Sequence, residues 1–412
     1  MRSAPHVCGK IYSDIRIVRK SGYRYNPRYV ECMLIPRGSG KEMGLRRMKK
    51  QKQEEKRAGL RILAAAILLA ASAVLMVTAA QVPEFAEWYS RTIYPWLVAI
   101  VGRGLGIVPF SVAELCLYLL LIWFAVSAVF LIKGCIRYGN GGRRTFSWFS
   151  GVILAVGILA LLYTVGCGIN YHRESFSEEE GIVTFRYSTE ELKEVCVWLT
   201  EEVNILSGEV SRGESGIMEL DAPEGEGAVE AMEKLAETFS SLEGYYPQPK
   251  AVMLSEILSY QGLSGVYSPF TVEANYNGDM TAYNKPFTVC HELSHLRGFM
   301  EEKEANFIAF LACTGSERPD FRYSGYLSGW VYCMNALYRT DPEVWQEVRE
   351  TLAPEAEPDL AANNAFWDRY EGVISETSDL INDTYLKANG QTDGVRSYDR
   401  MVDLIVAYHS RS

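Results

Sequence analysis

Hydrophobic residues crowd into three long runs in the first half of this chain and then disperse into periodic patterns. Ile62 to Ala80 ("ILAAAILLAASAVLMVTAA") carries no charge over 19 residues. At about 1.5 Å per residue that is enough to cross a hydrocarbon core of about 30 Å. Leu115 to Ile132 ("LCLYLLLIWFAVSAVFLI") is a second such run, and Gly151 to Gly168 lies inside a third. The pattern predicts membrane helices near residues 60–80, 113–133 and 146–169. The first run is followed by "QVPEF", with no small-x-small cleavage site, and is read as an anchor, not a signal peptide. The connection "WYSRTIYPWLVAIVGRGLGIVPFS" is too broken by Gly and Pro to span and predicts a segment lying on or dipping into the outer leaflet.

Beyond Ser175 the period becomes helical. "STEELKEVCVWLTEEVNIL" opens on Ser188 with Glu191 three residues later, a capping-box signature. Leu192, Val195, Cys196 and Leu199 follow at i, i+3, i+4 and i+7, and "AVEAMEKLAETFSSL" repeats the pattern. Between Val266 and Tyr283 β-branched and aromatic residues take over, with Asn277-Gly278 as a hairpin-turn signal. From Phe287 onward helices return. The expected fold is a mainly α membrane protein: three transmembrane helices, then an α-rich, zincin-like extracytoplasmic domain with a small β-hairpin or sheet. The expected divisions are 1–58, a basic, disordered cytoplasmic N-terminus or an over-extended start with Met43 or Met48 as initiator; 59–171, the membrane domain; and 172–412, the extracytoplasmic domain.

Charge refines this picture. The net charge of −10 sums a basic stretch up to Arg61 and an acidic region after Ser175. Lys and Arg are dense before the first run and in Lys133 to Arg144, whereas Gln81 to Glu114 holds only Arg91 and Arg103. Positive-inside therefore puts the N-terminus in the cytoplasm and everything after Tyr171 outside the cytoplasmic membrane. The basic patch is thus a topology signal and not a nucleic-acid site. The nine cysteines lack paired CxxC spacing, which excludes a zinc ribbon or thioredoxin-like motif. Cys290, Cys313 and Cys333 are expected as buried free thiols.

Candidate chemistry sits in "KPFTVCHELSHLRGFMEEKEANFIAF", Lys285 to Phe310. His291 and His295 lie four apart, so a helix projects both from one face, at a spacing that lets two imidazoles share a zinc ion. Glu292 is not a ligand in such an arrangement and can act as general base toward a metal-bound water. Chance alone produces HExxH in a chain this long on the order of 1% of the time, so a third ligand decides the matter. "EEKEAN" supplies Glu302, with Asn306 one turn later to bond a ligating imidazole. Glu301, placed as HExxHxxGxxE, is the competing third ligand, and spacing favours Glu302. Pro286 and Thr288 suit the helix start and Gly298 its stop. "SPFTVEANYN" is the candidate sheet edge for a peptide substrate. Glu273 within it either grips a substrate amine or faces water. Tyr323, Tyr326 and His409 are candidate oxyanion donors.

HELSH followed by ExxAN resembles the gluzincin zinc metallopeptidases, in which the first Glu of ExxA(D/N), here Glu302, is the third ligand. The gap between the two motifs is shorter here than in most gluzincins. The whole layout resembles a family of bacterial membrane proteins of unknown function, the domain-of-unknown-function 3810 family. The likeness rests on the three spans, "YSPFTVEANYN", "PFTVCHELSHLRGF", "EANFIAFLAC" and the final "SYDRMVDLIVAY", and covers nearly all of the chain after about Leu60. It implies a zinc-peptidase-like domain without naming a substrate. The function expected is a membrane-anchored metallopeptidase with one Zn2+, the bilayer and a peptide or envelope protein as partners. The alternative is a zinc-stabilised, non-catalytic sensor or binding module. An intramembrane protease is disfavoured, because Lys285, Arg297, Glu301 and Glu302 flank the motif.

Overall fold

The computed structural model describes residues 40–138 and 141–411; the expectations for residues 1–39 lie outside them. Helix α1 runs unbroken over Gly40–Gln81. The basic stretch 40–58, expected as disordered, is therefore helical, because its Lys, Arg, Glu and Gln are good helix formers continuous with an apolar helix. After α1, a short helix, Pro83–Trp88, leads into α2, Tyr94–Gly106. In α2, Tyr94, Val98 and Gly102 are buried while Trp96 and Ile100 on the opposite side are exposed. That two-faced apolar helix suits the membrane interface predicted for this connection.

Helices α3 (Val112–Tyr138) and α4 (Gly141–Gly166) follow. Among the described residues, three helices (α1, α3 and α4) are long and apolar enough to cross a membrane. Helices α1 and α3 extend past the apolar runs read from sequence at both ends, while α4 starts ten residues before its run and stops at Gly166, two residues short of the run's end. A helical ladder satisfies its own backbone in lipid and need not stop at the first charge. Gly157 of α4 lies against the backbone of Ala65, where a Cβ would meet the Ala65 carbonyl at 3.2 Å, so a small residue permits that close approach. Trp148 Nε1 donates to Ser127 Oγ at 2.9 Å, tying α4 to α3.

The C-terminal half is helical around one small sheet. Its main helices are α5 (Thr189–Ser207), α6 (Glu224–Ala236), α7 (Asn284–Leu296), α8 (Glu302–Thr314), α9 (Pro319–Thr340), α10 (Val373–Ala388) and α11 (Met401–His409). The Ser188–Glu191 capping box forms as the sequence predicts, and Leu192, Val195, Cys196 and Leu199 are buried. Strands β1 (Lys250–Ala251), β2 (Gly265–Ser268) and β3 (Glu273–Tyr276) are ordered β1-β3-β2, with β1 parallel and β2 antiparallel to β3. The hairpin reverses through residues 269–272, not at Asn277-Gly278. Val272 takes the left-handed turn, with φ 53°. Asn277 is instead buried, its amide donating to Ser259 Oγ and to the Leu263 carbonyl. Most of the stretch expected as the sheet edge is likewise interior: β3 is the central strand and β2 the edge.

The sheet is fastened to the membrane helices at two points. Glu273 accepts from the backbone N–H groups of Val112 and Ala113, the start of α3, and pairs with Lys250 at 2.5 Å. Pro269 packs on Gly166, the end of α4, and the Tyr267 hydroxyl donates to the Gly166 carbonyl at 3.0 Å. Glu114 of α3 reciprocates by accepting from the N–H groups of Met253 and Leu254. Glu273 therefore neither grips a substrate amine nor faces water. It is a buried cap and ion-pair partner.

Candidate metal centre

Helix α7 starts at Asn284, two residues before Pro286, and ends at Leu296; two residues on, the chain turns at Gly298, whose φ of 93° is open to glycine at little cost. That turn brings α8 back against α7. The result sets Oε2 of Glu302 at 3.2 Å from Nε2 of His291 and 3.4 Å from Nε2 of His295. All three side chains are buried, and their ligating atoms lie within 4.8 Å of one another. Glu301, the competing residue, immediately precedes α8 at the partly exposed surface, makes no capping hydrogen bond with its side chain, and pairs with Lys303. Glu304, also buried, accepts from the Ser177 backbone and hydroxyl and faces away from the centre.

The hydrogen bonds around the imidazoles fix what the centre presents. Nδ1 of His291 lies 2.7 Å from Asn306 Oδ1, and Nδ1 of His295 lies 2.8 Å from the Phe299 carbonyl. With Nδ1–H donated to oxygen in both rings, each neutral imidazole turns a bare Nε2 lone pair toward Glu302. Oε2 of Glu302 is a third acceptor there with no hydrogen-bond donor of its own. Three buried lone pairs converging without a proton repel one another, and a cation resolves that conflict.

Titration follows the same logic. Burial pushes His291 down, although Glu302 opposes it, and keeps that ring neutral. For His295 burial also disfavours the imidazolium, but the adjacent Glu302 carboxylate outweighs it and pushes the ring up to about 9. Burial opposes ionisation of Glu302, yet the two imidazoles hold it well below the usual carboxylate range. A proton on His295 therefore stands where a metal ion would. The residues present fit zinc: two nitrogens and one carboxylate oxygen, each nitrogen backed by an oxygen acceptor, are the donor set of open tetrahedral sites.

Glu292 sits beside this group, 4% exposed, and burial pushes its carboxyl up to about 8. It accepts from the Tyr267 backbone, and its Oε2 has no hydrogen-bond partner. A cleft of about 410 Å³ opens on one side of His291 and Glu292, lined by Leu263, Gly265, Tyr283, Phe287, Tyr332 and Trp367 among others. A second recess of about 210 Å³ continues on the other side past His295 and Glu302 to Cys167, Tyr171, Met300 and Tyr385. Gly265, Asn382 and Tyr385 were not singled out by sequence reasoning. Asn382 and Tyr385 lie about ninety residues after the motif on α10, and nothing in their local pattern marks them.

The predicted oxyanion donors are elsewhere. The Tyr323 hydroxyl donates to Asp359 at 2.6 Å in a buried cluster with Arg212. Tyr326 packs edge-on against Trp198 and Phe310. His409 stacks on Trp198. None of the three lines either part of the cleft. All lie on faces that the helical period alone could not distinguish from the site. Cys290, Cys313 and Cys333 are buried and free.

The family described as protein of unknown function (DUF3810) matches residues 89–406, and the chain belongs to it. That match spans the segment around α2, two of the apolar helices and the C-terminal half as far as residue 406. Neither the curated proteins nor the solved structures gave a match.

Proposed function

We propose that this member of the family is a membrane-anchored, zinc-dependent metallopeptidase with a zincin-like domain outside the cytoplasmic membrane. The observation that carries the reading is the convergence of His291 Nε2, His295 Nε2 and Glu302 Oε2, with both tautomers set by Asn306 and Phe299, directly beside a buried Glu292. His291, His295 and Glu302 would hold the ion. Zinc, when bound, supplies a Lewis acid that polarises a carbonyl and lowers the pKa of water toward about 7.

The chain's own residues account for the rest. Glu292 takes a proton from the attacking water and returns it to the leaving amine. Its carboxyl, already raised to about 8, would be drawn down toward neutrality by a nearby cation, the range in which such transfer is efficient. Strand β2 offers an edge beside Glu292. Ser264 accepts from the Asn277 N–H, so by antiparallel alternation Gly265 and Tyr267 turn their backbone groups away from β3. A peptide laid there would gain main-chain hydrogen bonds while the cleft held its side chains. The Lys and Arg of the first half of α1, and Lys133, Arg137, Arg143 and Arg144 at the facing ends of α3 and α4, support an N-terminus inside and the centre outside.

The test is metal analysis of the purified full chain together with turnover of Glu292→Gln. The reading expects about one zinc per chain in both proteins and loss of peptide cleavage in the variant. Zinc retained with cleavage unchanged would refute it. Zinc retained with no cleavage by wild type would favour the non-catalytic binding module.

A further inference from the structure

The second arm of the cleft ends on the membrane anchor itself. Cys167 and Tyr171, which line it with His295 and Glu302, are the first and fifth residues after α4. Helix α4 has 26 residues, about 39 Å at 1.5 Å per residue, against a hydrocarbon core of about 30 Å. The apolar stretch of α4 runs on to Val165, so a bilayer that α4 crosses would have its headgroups near the Gly166 end. Edge strand β2 starts beside Glu292, where Gly265 touches that carboxyl, and finishes at Ser268, next to the Pro269 that packs on Gly166. From Gly265 to Pro269 is four residues, about 13 Å of extended chain.

The surroundings have the same character. Phe270, at the tip of the hairpin between the ends of α3 and α4, is exposed, as are Met253 and Leu254 where they meet Glu114. The α10 wall is tied to the anchor too: Tyr163 of α4 donates to Asn389 at 2.7 Å, and the Tyr385 hydroxyl lies 3.3 Å from that of Tyr171. In a bilayer crossed by α4, a chain leaving this arm of the cleft would meet the last turn of that helix and the membrane surface.

We propose that the cleft takes polypeptides tethered to the same bilayer and cuts them within about five residues of their membrane anchor. This rests on the peptidase reading above and adds the substrate class. A segment emerging from a neighbouring transmembrane helix enters by the Cys167–Tyr171 end, extends along β2, and reaches Glu292 after about four residues. Anchoring in the same membrane raises its local concentration and leaves soluble peptides at a disadvantage.

The experiment reconstitutes the full chain in liposomes with a reporter made of one transmembrane helix followed by a randomised 30-residue segment and a soluble tag. Both chain polarities are built, along with the same segment lacking the helix. Released fragments are mapped by mass spectrometry against Glu292→Gln. Cuts clustered within about five residues of the anchor, with the unanchored segment cut at least about tenfold more slowly, are expected. Cuts spread evenly along the segment, or equal rates with and without the anchor, would overturn the substrate class and leave the peptidase reading standing. If wild type and Glu292→Gln release equally little from every reporter, both fall.

Discussion

Gly265 touches Glu292: a Cβ added to this glycine would come within 3.0 Å of the glutamate's Oε1, Cδ and Cγ. Only a residue without a side chain lets the edge strand approach the proposed base this closely. Gly265→Ala should therefore push the Glu292 carboxyl aside while leaving His291, His295 and Glu302 untouched. Zinc content should be unchanged, and turnover should fall about 100-fold, the scale of a displacement of about 1 Å at a reacting centre. Metal analysis beside initial rates on a peptide cut by wild type separates the two effects. Equal loss of zinc and rate would show a damaged centre instead.

The proposed metal centre makes a different demand on adjacent glutamates. Glu302 points both ways into the imidazole pair, whereas Glu301 meets Lys303 at the surface. Glu302→Ala should abolish stoichiometric zinc, and Glu301→Ala should leave it intact. Asn306→Ala should weaken zinc binding about 10- to 100-fold by freeing the His291 ring without removing a ligand. Competition with a chromophoric chelator measures all three. Zinc lost from the Glu301 variant alone would reverse the ligand assignment.

Zinc affinity should depend on pH through His295. Without metal this ring is pushed up to about 9 by Glu302 against the effect of burial, so below that pH it carries a proton that zinc must expel. Apparent affinity should rise about tenfold per pH unit between pH 7 and about 9 and level off above it. The sign follows because the metal-free state binds the extra proton, so lowering the pH favours that state. Chelator competition at several pH values reads the slope, and a flat profile over this range would contradict it.

Much of this was legible before the structure, and the reason is local. His291, Glu292 and His295 are set by helix geometry within one turn, and Glu302 follows after a single glycine stop, so short-range spacing sufficed. Three apolar runs likewise announced three helices. What the sequence could not show depends on distant partners. Glu273 looks like a strand residue facing water until Val112, Ala113 and Lys250 are brought to it from across the chain. Asn277-Gly278 spells a hairpin turn, but burial of the Asn277 amide against Ser259 and Leu263 claims it for another purpose. Tyr323 and His409 carry suitable chemistry and face other packing partners, and Tyr385 reaches the cleft from a helix with no distinguishing signal.

Glu273 also gives the sharpest test of how the small sheet is held to the apolar helices. Its carboxylate meets three groups at once: the first two N–H donors of α3 and the buried Lys250 ammonium, which also donates to the Leu105 carbonyl. Glu273→Ala removes a helix cap and leaves Lys250, 6% exposed, with its charge uncompensated. Breaking a buried pair in this way costs about 3–5 kcal/mol. In a unit of this size that corresponds to a fall in Tm of about 10 °C. The double variant Glu273→Leu with Lys250→Met removes both charges and should recover much of the loss, because burying matched apolar side chains avoids the desolvation cost. Thermal unfolding of the full chain in detergent measures each, with zinc content as a control expected to stay near one per chain. If Glu273→Ala alone leaves Tm unchanged, the fastening of β3 to α3 contributes nothing to stability, and the sheet is held by Pro269 and Tyr267 on Gly166 instead.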